Sequence, residues 1–298
     1  MIVLGIDAAW TEKEPSGVAL TALRDGEWRC LALAPSYEAF LGLSDGRPVD
    51  WGASRVRGTT PDPERLLQAA ASISGGAPPD VVAVDMPMAT TPFVTRRTAD
   101  NLVSSTFGGQ WCSAHSPTAD RPGAIGMVLS EECERLGYPL AVATDAPGAH
   151  PRLIEVYPHP ALLTLLALQR RFEYKASKAR RFWPELSLQG RKERLLEQYG
   201  LLLARLGETM VGIDLKLPHP TEVSTISALK RYEDALDALV CCWVGACYAE
   251  GHAYPLGDDS AAVWMPENIA GKAKWSIQQM PNGPQSAGIE TFAAESLI

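Results

Sequence analysis

The sequence predicts an α/β fold, a mixed sheet flanked by helices, and three observations carry the prediction. Two apolar runs, Met1-Ile2-Val3-Leu4-Gly5-Ile6 and Val81-Val82-Ala83-Val84, each close on an aspartate, Asp7 and Asp85. Such runs read as strands buried on both faces with a carboxylate at the C-terminal end. Helical and strand patterns alternate after the first third of the chain, as they do in layered α/β domains. A long apolar helix pattern near the C-terminus carries Asp234 and Asp237, three residues apart and therefore on one face.

Taken in order, Ile2 to Asp7, Gly17 to Leu23 and Trp28 to Ala34 read as three strands, the last two joined at Arg24-Asp25-Gly26-Glu27 in a meander. Pro61-Asp62-Pro63-Glu64 opens a helix that runs through Leu66, Leu67, Ala70 and Ile73 to Gly75-Gly76. Val81 to Asp85 is the fourth strand. A long loop is expected from about Met86 to Pro117, and ordered loops of that length are usually functional. A helix around Thr118 to Leu136 and a fifth strand, Arg152 to Tyr157, follow. A helical insertion from about Ala161 to Gly207 precedes the last core helix, Ser224 to Glu250. The domain is expected to span residues 1–267, with 268–298 as a C-terminal tail.

Composition excludes several classes. With 298 residues, 46% of them hydrophobic, the chain can bury a large core. Its six cysteines form no CxxC pair, which favours reduced, buried thiols and a cytoplasmic location over a disulfide scaffold. No basic, apolar leader and no spanning run of about 20 apolar residues is evident, so no membrane partner is expected.

Ligand sites of open α/β sheets lie beyond the C-terminal strand ends, which is where Asp7 and Asp85 fall. If the last helix packs on the sheet, Asp234 and Asp237 join them. Four uncompensated carboxylates repel one another and call for a hard cation, Mg²⁺ or Mn²⁺. Glu155, inside Leu153-Ile154-Glu155-Val156-Tyr157, is either a fifth acidic ligand or proton-transfer group, or a partner of Arg96, Arg97 or Lys175. Arg96 and Arg97 either clamp a substrate phosphate or neutralise the carboxylates. His115 and His159 read as packed or exposed histidines before they read as bases. Trp10 reads as a wall beside the site.

The net charge of −8 argues against indiscriminate nucleic-acid binding, but its distribution is uneven. Between Arg170 and Arg194 nine basic residues, among them Lys175, Arg180, Arg181, Arg191 and Lys192, face three acidic ones. Phe172, Tyr174, Phe182 and Trp183 lie among them. Basic side chains on phosphates with aromatic rings on bases make a strand-binding surface; the alternative is a solvated helical face.

The order β-β-β-α-β-α-β-α, with Asp7, Asp85 and the Asp234-x-x-Asp237 pair at these positions, resembles the ribonuclease H-like nucleases, with the helix pair closest to RuvC-like junction resolvases. Gly5-Ile6-Asp7-Ala8-Ala9-Trp10, Pro15-Ser16-Gly17-Val18-Ala19, Asp85-Met86-Pro87, Glu155-Val156-Tyr157-Pro158 and Asp234-Ala235-Leu236-Asp237-Ala238 look like those of a family of uncharacterised proteins held to be nucleases of this fold. The resemblance implies a five-stranded mixed sheet and phosphodiester hydrolysis by two metal ions, Asp7 bridging them, Asp85 and Asp237 holding one each and Asp234 assisting. It implies a nucleic-acid partner, DNA or RNA undecided. Asp85 stands where many such nucleases carry glutamate. A non-catalytic nucleic-acid-binding or scaffold protein of the same fold is the alternative. An actin-like ATPase or sugar kinase would need glycine-rich phosphate loops that are missing here.

Overall fold

The computed structural model describes residues 1–93, 95–118 and 124–267. Strand β1 (Ile2–Asp7) lies antiparallel to β2 (Gly17–Arg24), which returns as β3 (Glu27–Ala34) through Asp25-Gly26. Both turn residues have positive φ, 53° and 81°, the twist that a two-residue hairpin requires. The expected meander is present. Helix α1 (Tyr37–Ser44) has no counterpart in the sequence reading; the Ser36 hydroxyl caps it, accepting from the Ala39 N–H at 3.1 Å. Helix α2 (Pro63–Ser74) starts at the Asp62 cap, which accepts from the Arg65 N–H at 3.1 Å, and stops at Gly75 with φ of 95°. Strand β4 (Val81–Val84) then runs parallel to β1.

The expected long loop contains a helix, α3 (Thr98–Phe107). Its first turn is closed by Asp100, whose carboxylate accepts from the Arg97 N–H at 3.3 Å, while Ala99 and Val103 bury its apolar side. Helix α4 (Ala124–Arg135) is the core of the helix expected from Thr118; residues 119–123 lie outside the described ones. Strand β5 (Arg152–Val156) leads into α5 (Pro158–Leu165), α6 (Ala179–Phe182) and α7 (Leu188–Gly207), which occupy the expected insertion. After a 3₁₀ turn over Ile226–Leu229, capped by Thr225, comes α8 (Lys230–Ala249).

The sheet has seven strands, not five, in the order β3-β2-β1-β4-β5-β7-β6. The two additional strands, β6 (Ala253–Gly257) and β7 (Ala262–Pro266), form a hairpin beyond α8, with β7 parallel to β5 and β6 antiparallel at the edge. Pro255 argues against a strand in a sequence reading. It is tolerated here because β6 is an edge strand, where a missing N–H breaks no ladder. Four parallel strands thus sit between antiparallel edges. One core layer lies between the sheet and α5, α7 and α8, and a second lies on the α1, α2 and α4 side.

All six cysteines are buried and unpaired, as expected. Among the described residues no helix is long and apolar enough to cross a membrane. The tail expected over 268–298 lies outside the described residues.

Candidate functional site

The sheet register sets the site. Ile6 pairs with Val84 across β1 and β4, so the next residue on each, Asp7 and Asp85, stand side by side at the C-terminal strand ends. The Asp85 N–H donates to the Ile6 carbonyl at 2.9 Å. Strand side chains alternate between faces, and Val3 and Ala83 pack in the layer that holds α8; Asp7 and Asp85, an even number of residues further on, point to that same side.

Helix α8 reaches them because two glycines let it lie directly on the sheet. A Cβ on Gly5 would sit 2.4 Å from the Ala238 carbonyl oxygen, and one on Gly17 would sit 2.0 Å from that of Asp234. This close approach brings Glu233, Asp234 and Asp237, all buried, down beside Asp7. Two lysines come with them. The Lys175 ammonium pairs with Asp237 and, at 3.3 Å, with Glu233. Lys230, one turn before Asp234, pairs with Asp234 and, at 3.1 Å, with Glu233. The Tyr174 hydroxyl donates to the other Asp237 oxygen, and the Ala176 N–H donates to Glu233 at 2.6 Å.

The carboxylates therefore divide into two kinds. Glu233 is embraced by both lysines, which outweigh its burial and hold its pKa below the usual value. Asp237 is raised to about 6, by burial first, with Lys175 pulling down and Asp7 pushing up. Asp234 is raised well above the usual range by burial, partly offset by Lys230 and reinforced by Asp7. Its Oδ2 is buried without a hydrogen-bond partner among the described residues. Asp85 is raised by burial and by Asp7, with Lys175 pulling down, and neither it nor Asp7 forms an ion pair among the described residues. An open cleft of about 550 Å³ lies over Asp7, Asp85 and Asp234, walled by Trp10, His115 and Lys230. The carboxylates that line the cleft are thus Asp7, Asp85 and Asp234, the last with an orphan oxygen. Among the described residues no group of three or more aspartate, glutamate, histidine or cysteine side chains is arranged to hold a metal ion, so a cation beside Asp7 and Asp85 would take the rest of its shell from water or ligand oxygens. That is how Mg²⁺ is usually held.

Several sequence-derived candidates lie elsewhere. Glu155 pairs in register with Val84, one residue short of Asp85, so it projects to the opposite face of the sheet from the cluster. There it receives Arg97 through two hydrogen bonds, at 2.6 and 2.8 Å, and the Met88 N–H at 2.8 Å. Arg97 also pairs with Asp100 at 2.7 Å and is buried, so it neutralises Glu155 and offers no clamp. Arg96 spends its donors on Asn101, Ser104, Ser116 and the Asp100 and Ala114 carbonyls, tying the loop of His115 to α3. Lys175 faces carboxylates inside the cluster rather than solvent. Trp183 is buried, as are Phe172 and Tyr174, which removes them as stacking surfaces. Arg180 and Arg181 are exposed on α6. His159 is buried at the start of α5, its pKa held well below the ordinary value by burial and by Lys175 and Arg171.

Glu233 and Lys230 belong to the site and were not singled out by sequence, and Tyr174, read there as a stacking ring, instead donates to Asp237. The spacing of Lys230 and Asp234, four residues apart in a helix, was the available signal.

A family model described as "Protein of unknown function (DUF429)" matches residues 5–262, and the chain belongs to that family. No curated protein and no solved structure matches the sequence significantly.

Proposed function

We propose that this member of the DUF429 family is a divalent-metal-dependent hydrolase of phosphodiester bonds, acting at the cleft over Asp7 and Asp85. The observation that carries the reading is the uneven neutralisation of the cluster. Lysines pair with Glu233, Asp234 and Asp237, whereas Asp7 and Asp85 stand side by side at the cleft without an ion pair among the described residues, where Asp234 also keeps one buried oxygen unpartnered. Carboxylates left in this state favour a bound divalent ion over two charged neighbours in a half-buried site. The strand order β3-β2-β1-β4-β5 with α8 across it supports the ribonuclease H-like reading, with β7 and β6 as an extension.

When bound, Mg²⁺ or Mn²⁺ supplies positive charge to a phosphate oxygen and a more acidic water. Asp7 and Asp85, on two adjacent strands, would hold it, with Asp234 beside them on the cleft wall. Lys175 holds Asp237 away from that role, so the reading takes one resident ion where two are expected from sequence. Lys230 holds one oxygen of Asp234 and, on the cleft wall, presents charge to an entering phosphate. His115, on the cleft wall, is the imidazole placed to pass a proton to the leaving oxygen.

A second reading is a nucleic-acid-binding protein without turnover, favoured by the two built-in lysines and by the finding that no three acidic, histidine or cysteine residues among the described ones are arranged to hold a metal. Cleavage assays with Mg²⁺ or Mn²⁺ on bis-p-nitrophenyl phosphate and on labelled oligonucleotides separate the two. Wild-type turnover that EDTA abolishes, and that falls at least 10²-fold in Asp7→Asn and Asp85→Asn with melting curves intact, is expected. Full turnover by purified Asp7→Asn would end the metal assignment.

A further inference from the structure

The basic segment that stands out in sequence separates into used and unused cations. Arg191 donates to the Trp183 and Pro184 carbonyls, Lys192 is buried on the Val223 carbonyl at 2.8 Å, and Arg194 pairs with Glu197. Arg170, Arg171, Lys178, Arg180 and Arg181 form no ion pair among the described residues. In a chain of net charge −8 a run of unpaired cations is an asymmetry that needs an anion.

These cations adjoin an exposed aromatic ring. Trp111 is 57% exposed and adopts a left-handed conformation, φ 65° and ψ 26°, which is strained for a bulky residue. The Arg170 guanidinium lies 4.9 Å from the centre of its ring, and the Arg171 N–H donates to the Gln110 carbonyl at 2.8 Å, tying the basic segment to the tryptophan turn. The Arg171 side chain contacts His159 Nε2. Both Arg171 Nε and the Nδ1 of His159, itself 8% exposed, are buried with no partner among the described residues. Lys178 feels Arg171 and Arg181 strongly enough that its pKa is lowered, by burial first and then by those charges.

The assembly borders the carboxylate cleft. His159 packs edge-on against Tyr174, the Asp237 donor, at 5.8 Å, and against Tyr157 at 5.4 Å. The Tyr157 hydroxyl in turn holds the Ser113 carbonyl at 3.1 Å, in the loop between Trp111 and the cleft-lining His115. Three residues lie between Trp111 and His115, a span of at most about 14 Å over four backbone steps.

We propose that Trp111, Arg170, Arg171 and Lys178 form a strip that holds an unpaired nucleic-acid strand leading into the cleft, the three cations on its phosphates and the tryptophan ring on a base. This rests on the hydrolase reading for what lies at the end of the strip, but not for binding itself. An exposed ring can stack on an unpaired base, whereas the base faces of a duplex are already covered. Arg180 and Arg181 extend the positive surface.

The test is fluorescence anisotropy in EDTA with a labelled single-stranded oligonucleotide and the matching duplex, titrated at several salt concentrations with the full chain. Wild type is expected to prefer the single strand. Arg170→Ala with Lys178→Ala should lower the slope of log affinity against log salt by about 1.4, roughly 0.7 per lost phosphate contact. Trp111→Gly, which relieves the left-handed backbone and so should not harm folding, should weaken binding about 5- to 160-fold with the slope unchanged. Equal affinity for duplex and single strand, full competition by millimolar inorganic phosphate, or wild-type affinity in both variants would overturn the strip. Metal-dependent turnover with an unaltered KM in the strip variants would reject the strip and keep the hydrolase. Tight single-strand binding with no turnover under any metal would do the reverse.

Discussion

Asp237 and Asp234 share a helix face three residues apart, yet each is shaped by a different lysine. Asp237 is raised from its ordinary 3.8 to about 6, chiefly by burial. A carboxyl whose folded pKa lies above its unfolded value stabilises the fold when protonated. That contribution is complete below about pH 4 and is lost as pH rises through 6; two pKa units correspond to about 3 kcal/mol. In Asp237→Asn the contribution is missing. Urea denaturation of both proteins from pH 4 to 8 should therefore show the variant gaining on wild type by about 3 kcal/mol across that window, and a difference independent of pH would contradict the assignment. His159 works in the opposite direction. Burial and the cations Lys175 and Arg171 hold its pKa low, so the stability it contributes as a neutral ring is lost as pH falls. The four strand-end and helix aspartates were legible because sequence period places them: each closes a buried run or shares a helical face. The counter-ion of Asp237 was not. Lys175 lies some 60 residues before Asp237 and meets it only through the packing of the insertion on α8, a contact that no local pattern encodes.

At the scale of elements, the approach of α8 to the sheet decides whether the aspartates meet. Gly17 gives the closest point, where an added Cβ would lie 2.0 Å from the Asp234 carbonyl oxygen and 2.9 Å from the Ala235 nitrogen, both backbone atoms that cannot swing aside. Gly17→Ala should push the first turns of α8 outward, costing about 1 to 3 kcal/mol in denaturant midpoint terms and loosening metal affinity more than Ala substitution elsewhere on β2. Thermal melts and Mg²⁺ titrations of Gly17→Ala beside Ala19→Gly would check it; unchanged metal affinity in Gly17→Ala would show that the spacing of α8 does not tune the cleft. The same scale explains what sequence reading missed. Glu155 looked like a fifth ligand because it lies near a strand end, but strand alternation combined with the Val84–Glu155 register turns it to the other face, where Arg97 waits. Register is a property of two strands and cannot be read from one. The hairpin β6–β7 was hidden by Pro255 and by the brevity of both strands, and α3 by its polar exposed side. The meander, α2, the two aspartate strands and α8 were legible because their caps, turns and apolar periods agree with one another.

Across the whole molecule the charge is sorted rather than spread: a negative cleft, a positive strip beside it, and an excess of acid elsewhere. Such sorting would guide a polyanion, on the proposed reading, to one place on an otherwise repelling surface, and a cation would relieve the repulsion among the cleft carboxylates. The stability of the whole fold should therefore report metal binding. At a free Mg²⁺ concentration 100 times its Kd, mass action adds about 2.7 kcal/mol, which for a domain of this size raises Tm by roughly 5 °C or more. Asp7→Asn removes one of the repelling charges, so without metal it should melt at or above the wild-type temperature, and with Mg²⁺ it should gain little. Ca²⁺ should raise Tm without supporting cleavage, because its looser coordination does not enforce the octahedral geometry that Mg²⁺ demands. Differential scanning calorimetry in EDTA, Mg²⁺, Mn²⁺ and Ca²⁺ at constant ionic strength separates site binding from general screening, since screening would move both proteins alike. Superimposable wild-type curves in EDTA and saturating Mg²⁺ would mean that Asp7 and Asp85 tolerate each other without a cation, and the carboxylate cleft would then lose its claim to be a metal centre.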